Sequence, residues 1–495
     1  MSKVSRRVFL ASTAAIPFSL WLEKNASAKA VMTRYNALSA QGQAMLKIYA
    51  GAVKQMRGMN SGDPRSWVFQ WYTHRVRGDS NKAAQLLSIY PAQSGANFNL
   101  AKAMWNTCQN HSNAPGQEQF FLPWHRMYVY FLERIVRKVS GQPTFTLPYW
   151  NYSVTGANHG VIPKQFRMQN DATFGPLFIS NRNPGVNTGQ AIDAGQPGNL
   201  LSTNSLAQCG YNSAGAVQGF CLALDSGLHG NVHGLTGNAQ NMGSVAWAAN
   251  DPVFWAHHCN IDRLWASWNK VGRKNPSDAG YLSKTFTFAD EAGVQVIAKV
   301  KDFLDITTLG YTYEAFEPRQ GLCLTAVNPN LRLIRRAIFP SGPIQLSSQP
   351  VRVNLEPFAA PNERNPGLRT NVRELKGDTR LYLVLRNLQA DIHPGVLYHL
   401  YLELPANTPT EKGQSHFVGT IHFFDAIPHN DDERMDMTHG MTSPDKFFSF
   451  DITDLTRSLQ SRQLLSDRPT LTIVPAGRPA NEAKPVIGET SIVEQ

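Results

Sequence analysis

The sequence feature that most constrains the fold is an apolar segment over residues 250–265 that contains two adjacent histidines, His257 and His258. Asp251 followed by Pro252 is a typical helix start, so the segment is predicted to form a buried helix. Neighbouring side chains on a helix point about 100° apart, so only one of the two imidazoles would normally face a metal ion. We predict that His258 is a metal ligand and that His257 supports it.

Two further histidines lie four residues apart in the segment before this helix. His229 and His233 would project from one face of a helix, where both can bind the same metal ion. This spacing alone is weak evidence. The segment over residues 250–265 strengthens this evidence, because His258 raises the number of candidate imidazole ligands to three.

A second set of three histidines, His74, His111 and His125, comes from three separate segments nearer the N-terminus. After His125 the apolar residues recur with helical spacing, which predicts a rigid, buried helix beneath that imidazole. These apolar positions are Tyr128, Leu132, Ile135, Val136 and Val139. Each histidine taken singly would more often be an ordinary residue, but together they make a set of three beside another set of three.

The composition is that of a soluble protein with room for two domains. The chain has 495 residues, 42% of them hydrophobic, and a formal net charge of +11 that is scattered rather than gathered into one run. We interpret the charge as a solvated surface and predict no nucleic-acid partner.

The first 28 residues predict export. Arg6 and Arg7 precede an apolar stretch that ends at Leu22, and small residues at 26–28 provide a cleavage site. This order resembles a twin-arginine signal, which implies a periplasmic or secreted protein. The stretch is shorter than the roughly 20 residues that span a bilayer, so we predict no stable membrane anchor.

The remainder divides into three parts. Residues 29–317 read as helical segments joined by long loops rich in Gly, Asn and Pro, and residues 318–350 read as a linker. Residues 351–495 contain short β-prone runs bounded by turn residues, which predicts an all-β domain with a sandwich-like arrangement. The five cysteines are too few for a disulfide scaffold, although a Cys209–Cys221 disulfide stays open.

Two motifs carry a resemblance to a known family. Phe-Leu-Pro-Trp-His-Arg-Met-Tyr at 121–128 and Asp-Pro-Val-Phe-Trp-Ala-His-His-Cys-Asn-Ile-Asp-Arg-Leu-Trp at 251–265 resemble the copper-binding signatures of tyrosinases, catechol oxidases and haemocyanins, the type 3 copper proteins. The resemblance implies a four-helix bundle that holds two copper ions. One ion would be bound by His74, His111 and His125, and the other by His229, His233 and His258.

Six imidazoles without a carboxylate or thiolate ligand suit copper in both of its oxidation states better than they suit a hydrolytic zinc ion. The resemblance implies that O2 and small phenols are the substrates and that o-diphenols become o-quinones. It extends to the tyrosine motif at 309–313 and to C-terminal segments at 448–455, 471–475 and 485–488, which are similar to the β domain that shields the active site in latent plant forms. We therefore predict a latent enzyme that is activated by cleavage near residues 332–336 or by mild detergent.

Four further positions have roles that the resemblance implies. Asp225 stands where the family usually has a glutamate that orients a water, and a helix N-cap is the alternative for it. Gly230 follows a ligand and leans toward diphenol oxidation, Gly234 leaves the entrance open, and Val245 is a candidate gate over the coppers.

Sulfur-containing residues near the histidines leave two questions open. Cys108 precedes His111 by three residues, so either a thioether bond to that histidine or a buried thiol is expected. A loop at 435–441 combines three methionines with His439, which predicts either a capture site for Cu(I) or a coincidental cluster.

Two alternative functions share the same ligands: an O2 carrier like haemocyanin and an o-aminophenol oxidase. The export signal disfavours the first, and the second differs only in the donor atom of the substrate. The natural phenol, the balance between monophenol and diphenol activity, and the formation of a homo-oligomer stay open.

Overall fold

A helical unit and a β unit follow one another along the chain. The computed structural model describes residues 16–18, 31–109, 120–318, 321, 336–357, 367–377, 379–409, 412–424, 426 and 447–495. Helices dominate up to residue 283, and antiparallel strands dominate from residue 336 onward. This order agrees with the predicted helical region followed by a β region.

The helices lie mainly in the first unit, and they differ greatly in length. They are α1 Ala40–Arg57, α2 Trp67–His74, α3 Lys82–Ile89, α4 Ala96–Met104, α5 Phe121–Ser140, α6 Phe220–Ala223, α7 Gly230–Thr236, α8 Val245–Ala248, α9 Pro252–Lys270 and α10 Ala279–Ser283, followed in the second unit by α11 Leu368–Glu374 and α12 Thr453–Ser461. Short 3₁₀ turns occupy the long loop between α5 and α6.

The two longest buried helices, α5 and α9, pack against each other and form the centre of the helical unit. The side chain of Asp251 caps α9 by accepting a hydrogen bond from the backbone of Val253, and Pro252 fits the first turn because it has no amide hydrogen to satisfy. Gly141 ends α5 with a left-handed φ of 67°, which a residue with a Cβ would adopt only under strain. Both helices are buried along almost their whole length, so imidazoles on them are shielded from water.

Asp262 on α9 organises a buried ionic network below the histidines. Its carboxylate accepts hydrogen bonds from Arg34, at 3.0 Å, and from Arg126, and also from the hydroxyls of Tyr311 and Tyr313 at 2.6 and 2.5 Å. Burial opposes the charge, but Arg126 and Arg34 hold the pKa of Asp262 below its usual value. The tyrosine motif therefore ties the end of the helical unit to the helix that carries His257 and His258.

Replacing Asp262 with asparagine should lower the free energy of unfolding by ~3–5 kcal/mol, because it removes the carboxylate that pairs with the buried guanidinium of Arg126 and leaves Arg34 with Glu133 as its carboxylate partner. Urea denaturation of the full chain would measure the change. Asp454→Asn is the matched control, since that side chain is 86% exposed and the substitution should change stability by less than ~0.5 kcal/mol. Equal effects of the two substitutions would show that the network does not stabilise the fold.

The strands of the helical unit are few and short. They are β1 Ile16–Pro17, β2 Met32–Arg34, β3 Thr285–Ala289, β4 Gln295–Lys299 and β5 Tyr311–Tyr313. Strand β1 pairs in parallel with β4 and lies within the predicted signal segment, most of which is outside the described residues. In the described part of the chain, no helix is both long and apolar enough to cross a membrane.

The β unit contains two antiparallel sheets. Its strands are β6 Arg336–Ser341, β7 Ile344–Gln345, β8 Val351–Asn354, β9 Leu381–Gln389, β10 Tyr398–Leu402, β11 Phe417–Ile421, β12 Phe447–Asp451, β13 Thr470–Pro475 and β14 Val486–Glu494. The sheet orders are β11-β10-β13-β8 and β12-β9-β14-β6, with β7 also paired to β14. Strands β6 and β7 fall inside the predicted linker 318–350, so the second sheet begins before residue 351.

A loop at 213–219 of the helical unit docks against the β unit. Ala216 and Leu222 are buried in one apolar cluster with Val384, Phe447 and other residues of the β unit. The backbone of Ala216 is also bound on both sides, since its N–H donates to the side chain of Gln495 at 2.7 Å and its C=O accepts from Ser449 Oγ at 2.5 Å. The β unit is thereby fixed next to the segment that leads into His229.

One cysteine alternative is wrong. Cys209 is in a disulfide, whereas Cys221 is a buried thiol whose pKa burial raises to about 12, so the two do not pair. Spacing in the sequence alone did not determine which cysteines meet.

Candidate metal centre

The described histidines that were predicted as ligands converge from four helical segments. His74 is the last residue of α2, His125 lies in the first turns of α5, and His258 lies in the middle of α9. His229 and His233 lie on the helix that follows α6. His111 lies outside the described residues, as does the methionine loop at 435–441.

In the first group, His74 and His125 present their imidazoles in a fixed orientation. The Nδ1 of His74 donates to the carbonyl of Val245 at 2.9 Å, and the Nδ1 of His125 donates to the carbonyl of Phe121 at 2.9 Å. Because Nδ1 carries the hydrogen, Nε2 keeps its lone pair for a metal ion. Their ring centroids are 5.8 Å apart.

The second group contains four imidazoles, those of His229, His233, His257 and His258, with one donor atom of each within 4.8 Å of the others. The Nδ1 of His233 donates to the carbonyl of Met242 at 2.7 Å, so its Nε2 is the nitrogen that could bind a metal ion. From the sequence, His257 was expected to have only a supporting role. The structure makes it a fourth candidate ligand beside the three predicted ones.

His257 and His258 differ in their neighbours. The ring of His258 lies parallel to that of His125, with centroids 4.2 Å apart, so it faces the first group. The ring of His257 stacks on His229 at 5.3 Å and lies against Tyr152. Because His258 lies between the two groups, it is favoured over His257 as the third ligand of the second group. This assignment stays a prediction.

The second group fits a metal ion electrostatically. Burial, and then the neighbouring imidazoles, lower the pKa values of His233, His257 and His258 well below the usual value, so all three are neutral. Within the described residues, Nε2 of His233 and both ring nitrogens of His257 and His258 have no hydrogen-bond partner. Buried polar atoms are normally satisfied, so a cluster of such nitrogens fits metal coordination.

The N-cap positions of the helical segments around Asp225 are Gly219, Ala223 and His229, so the N-cap alternative for Asp225 is wrong. Between α6 and α7 the helix widens into a π-helical turn, Leu224–His229, in which Gly227 departs from helical angles. This turn brings Oδ1 of Asp225 to 3.0 Å from Nδ1 of His229. Wide turns of this type are frequent at functional sites, and here the turn lets a carboxylate orient a candidate ligand.

The two glycines that follow the ligands do not leave open space in this structure. A Cβ on Gly230 would lie 1.8 Å from Nε2 of His422, and a Cβ on Gly234 would lie 2.7 Å from Cδ2 of Leu397. His422 also bonds to the carbonyl of Ser226 at 3.0 Å. The expected open entrance at Gly234 is therefore filled by the β unit, and Gly230 admits a histidine from the same unit.

Phe424 of the β unit covers the second group. Its ring stacks on His233 with centroids 4.0 Å apart and lies 5.7 Å from His229. Sequence patterns did not indicate this residue, because the β-prone runs within residues 351–495 predicted only strands. The one feature of the local sequence that could have indicated it is the aromatic pair Phe423 and Phe424.

A cavity of about 700 Å³ opens on the outer side of Phe424. Val245 lines it, and the carbonyl of the same residue holds the imidazole of His74, so the predicted gate residue does lie beside the first group. Arg75 and Trp247 line the cavity from the helical unit, and His393 lines it from the β unit. Phe424 lines this cavity too, and its ring also stacks on His233.

Known domain families match the helical unit from residue 64 onward. The common central domain of tyrosinase matches residues 64–208 and 181–271, and the polyphenol oxidase middle domain matches residues 275–319. A domain of unknown function matches residues 341–495. The central-domain matches contain all six histidines that were predicted as ligands.

Curated relatives include bacterial and plant enzymes. A tyrosinase of Hahella sp. is 33% identical over 297 residues, which cover 54% of this chain and 60% of that protein. The chloroplastic polyphenol oxidase of Malus domestica is 24% identical over 396 residues, which cover 72% of this chain and 64% of that protein. This chain thus spans less than two thirds of the length of either relative.

Solved structures share the arrangement of the two units. Latent apple tyrosinase superposes with a TM-score of 0.56 at 20% identity, covering 97% of this chain and 99% of that one. A recombinantly expressed latent aurone synthase, a polyphenol oxidase, gives 0.59 at 22% identity, covering 95% of this chain and 90% of that one. At these identities the likeness establishes the fold alone.

Proposed function

The chain belongs to the tyrosinase and polyphenol oxidase family of type 3 copper proteins, and from that premise we propose that it oxidises phenols and o-diphenols to o-quinones with O2. One observation carries the proposal. Two groups of buried imidazoles face each other through the parallel rings of His125 and His258, 4.2 Å apart. Two metal ions held by these groups would be close enough to share one small ligand.

The donor set favours copper. His74, His111 and His125 would hold one ion, and His229, His233 and His258 would hold the other. Neutral imidazoles accept both oxidation states of copper, whereas catalytic zinc sites more often combine three ligands with a catalytic carboxylate nearby. When bound, the copper pair supplies the redox chemistry that passes electrons from the phenol to O2.

The protein's own residues would orient the ligands and the substrate. The Nδ1 bonds of His74, His125 and His233 to backbone carbonyls fix each ring, so that binding a metal ion requires little reorganisation. Asp225 orients His229 through Nδ1, and its carboxylate can accept the phenolic proton through a water. A phenol would stack on His233, at the position of the Phe424 ring in this structure.

We further propose that the β unit keeps the protein latent until it is displaced or the linker near residues 332–336 is cleaved. Phe424 occupies the ring-stacking position on His233, and His422 occupies the space beside Gly230. In this proposal the helices around the site form a four-helix bundle, and the two sheets pack as a sandwich. The assigned parts are a signal peptide at 1–28, a catalytic domain at 29–317 and a shielding domain at 351–495.

Gly230 leaves no side chain beside the substrate once the β unit is displaced, and we propose that this favours diphenols over monophenols. Val245 would limit the entrance from the cavity side. The twin-arginine signal would export the protein, either as a monomer or as a homo-oligomer, to the periplasm or outside the cell.

Oxygen uptake by the copper-loaded, proteolytically activated chain tests the function directly. Catechol, tyrosol and o-aminophenol would be compared at equal concentration. Tyrosol measures monophenol activity. We expect the fastest uptake with catechol. Fastest uptake with o-aminophenol would identify the alternative oxidase, and reversible O2 binding without turnover of any of the three would identify a carrier.

Docking of the β unit should weaken as the pH falls from about 6.5 to about 4. Burial lowers the pKa of His399 to about 4, and its Nε2 bonds to Gln196 of the helical unit at 3.0 Å. Once the β unit leaves, this pKa should return toward its ordinary value of about 6.5, so protonation favours the separated state between the two values and adds nothing further below the lower one. The ceiling on this effect is ~3 kcal/mol.

The measurement is the ratio of phenol oxidation by the intact chain to that by the cleaved chain at each pH. The ratio should rise as the pH is lowered through this window. His399→Gln keeps the size and polarity of the side chain but cannot be protonated, so it should flatten the rise. An unchanged rise in that variant would assign the pH dependence to other groups.

A further inference from the structure

The π-helical turn beside the second group omits one α-helical hydrogen bond. In an α-helix the N–H of Gly230 would donate to the carbonyl of Ser226, four residues earlier. Here it donates instead to the carbonyls of Asp225 and Gly227. The carbonyl of Ser226 accepts a hydrogen bond from Nε2 of His422 at 3.0 Å. A side chain of the β unit, 196 residues away in the sequence, thus takes the place of the helical partner.

The buried ring of His422 is oriented to donate at this point. Its Nδ1 accepts from the backbone N–H of Phe424 at 3.4 Å, so Nε2 carries the hydrogen that is donated to Ser226. The ring of Phe448 lies edge-on against it, with centroids 5.2 Å apart. The missing side chain of Gly230 makes room for the ring, since a Cβ there would lie 1.8 Å from Nε2.

The side chain of Ser226 forms a second link to the β unit. Its Oγ accepts from Nε2 of Gln218 at 3.0 Å, and the same amide group donates to the carbonyl of Phe447 at 3.0 Å. The Oγ also donates to the carbonyl of Leu222 at 2.8 Å, one turn earlier in the helix. The turn is therefore attached to the β unit through both the carbonyl and the hydroxyl of one residue.

The turn also orients a candidate ligand, because it places Oδ1 of Asp225 3.0 Å from Nδ1 of His229. A π-helical turn contains an extra residue, so a return to α-helical bonding would rotate Asp225 relative to His229. We propose that His422 is a positioning residue, which keeps the turn π-helical and so holds the carboxylate of Asp225 on His229. When the β unit leaves, the N–H of Gly230 bonds to Ser226 and the carboxylate moves off the imidazole.

This inference rests on the proposed latency and extends it, because docking of the β unit then changes the second group itself as well as access to it. Gly227 permits the unusual backbone angles of the turn, but a glycine does not select one conformation over another. A buried carbonyl that loses its donor is unfavourable. Loss of the His422 side chain therefore favours the α-helical bond between Gly230 and Ser226.

Crystal structures of the intact, metal-free chain test the proposal without reference to copper. In His422→Ala we expect an α-helical bond from Gly230 to Ser226, and a separation of Asp225 and His229 beyond hydrogen-bond distance. His422→Gln should retain the π-helical turn, because its amide nitrogen can reach the position of Nε2 and donate to the same carbonyl. A π-helical turn that persists unchanged in His422→Ala would overturn the proposal.

Gly230→Ala tests the same contact from the helical unit. Gly230 has helical angles, with φ −65° and ψ −34°, so alanine fits the backbone while its Cβ displaces the ring of His422. This variant should show the same change of the turn, and combining it with His422→Ala should add nothing. His399→Ala is the matched control, because it removes another hydrogen bond between the units, to Gln196, and should leave the turn unchanged. An equal change in the control would mean that docking in general, and not His422, holds the turn.

Affinity for the second equivalent of Cu(I), measured against a Cu(I)-specific chelator, is a second readout. Loss of an outer partner of a metal ligand lowers affinity by ~10–100-fold, so we expect a loss in that range in Asp225→Asn and a loss of about 10-fold in His422→Ala. In the double variant His422→Ala should cost nothing further, because it acts through Asp225. Additive losses would contradict this route. Oxygen uptake with catechol is measured separately, and its absence would reject the proposed oxidase while leaving the crystallographic result intact.

Discussion

Replacing His233 with alanine should leave one copper ion per chain and lower phenol oxidation by at least ~1000-fold. The Nε2 of His233 is a buried atom without a hydrogen-bond partner in the described part of the chain, and its Nδ1 is bound to Met242. The side chain is thus oriented for metal binding and contributes little else. Loss of one ion removes the paired electron transfer, which is worth several kcal/mol at the transition state.

Copper content by atomic absorption and oxygen uptake after proteolytic activation would both be measured. His416→Ala is the matched control, because His416 is also buried and also donates Nδ1 to a carbonyl, that of Leu402, but belongs to no donor group in the described residues. It should keep two copper ions. Two ions in the His233 variant would show that His257 replaces it as a ligand.

The histidine pattern predicted much of this centre, because helical spacing converts sequence distance into direction. His229 and His233 do share one helix face, and the buried helix that begins at Asp251 does carry His258 into contact with them. Because adjacent side chains on a helix diverge, His257 was predicted to lie outside the donor group, and this prediction was wrong. Imidazole side chains are long enough that His257 and His258, although adjacent on α9, both reach one cluster. This is possible here because the helix that bears His229 packs beside His257.

The contacts of the β unit could not be predicted in the same way. Gly230 and Gly234 looked like openings, but a glycine is compatible either with empty space or with close approach of another segment. His422 lies 192 residues beyond Gly230 in the sequence, and only the tertiary fold reveals that its ring fills the missing side chain. The wide turn at Asp225 was missed for a similar reason, because no local pattern distinguished it from a helix start.

Replacing Phe424 with alanine should raise phenol oxidation by the intact, uncleaved chain at least ~10-fold, toward the rate of the cleaved chain. Burial of a phenylalanine ring contributes ~1.5–3 kcal/mol and an aromatic pair ~0.5–1.5 kcal/mol, and each 1.4 kcal/mol corresponds to a factor of ten. The residue lines the cavity of about 700 Å³ and its ring stacks on His233, so we expect removal of the ring to connect the two. A phenol could then reach the imidazole without displacement of the whole β unit.

A buried phenylalanine also stabilises its own domain, so a higher rate could arise from unfolding of the β unit instead. Phe423→Ala separates the two causes: that ring is completely buried and contacts Tyr398 within the β unit, not the histidines. Truncation of Phe423 should destabilise the β unit by ~3–5 kcal/mol, because that ring lies in the core of the β unit, whereas the ring of Phe424 packs in the apolar cluster of the helical unit. If the ring of Phe424 blocks the site directly, only its own truncation raises the rate under conditions where both variants remain folded by circular dichroism. Equal rates in the two variants would mean that the β unit inhibits through its docking as a whole and that Phe424 has no special part in it.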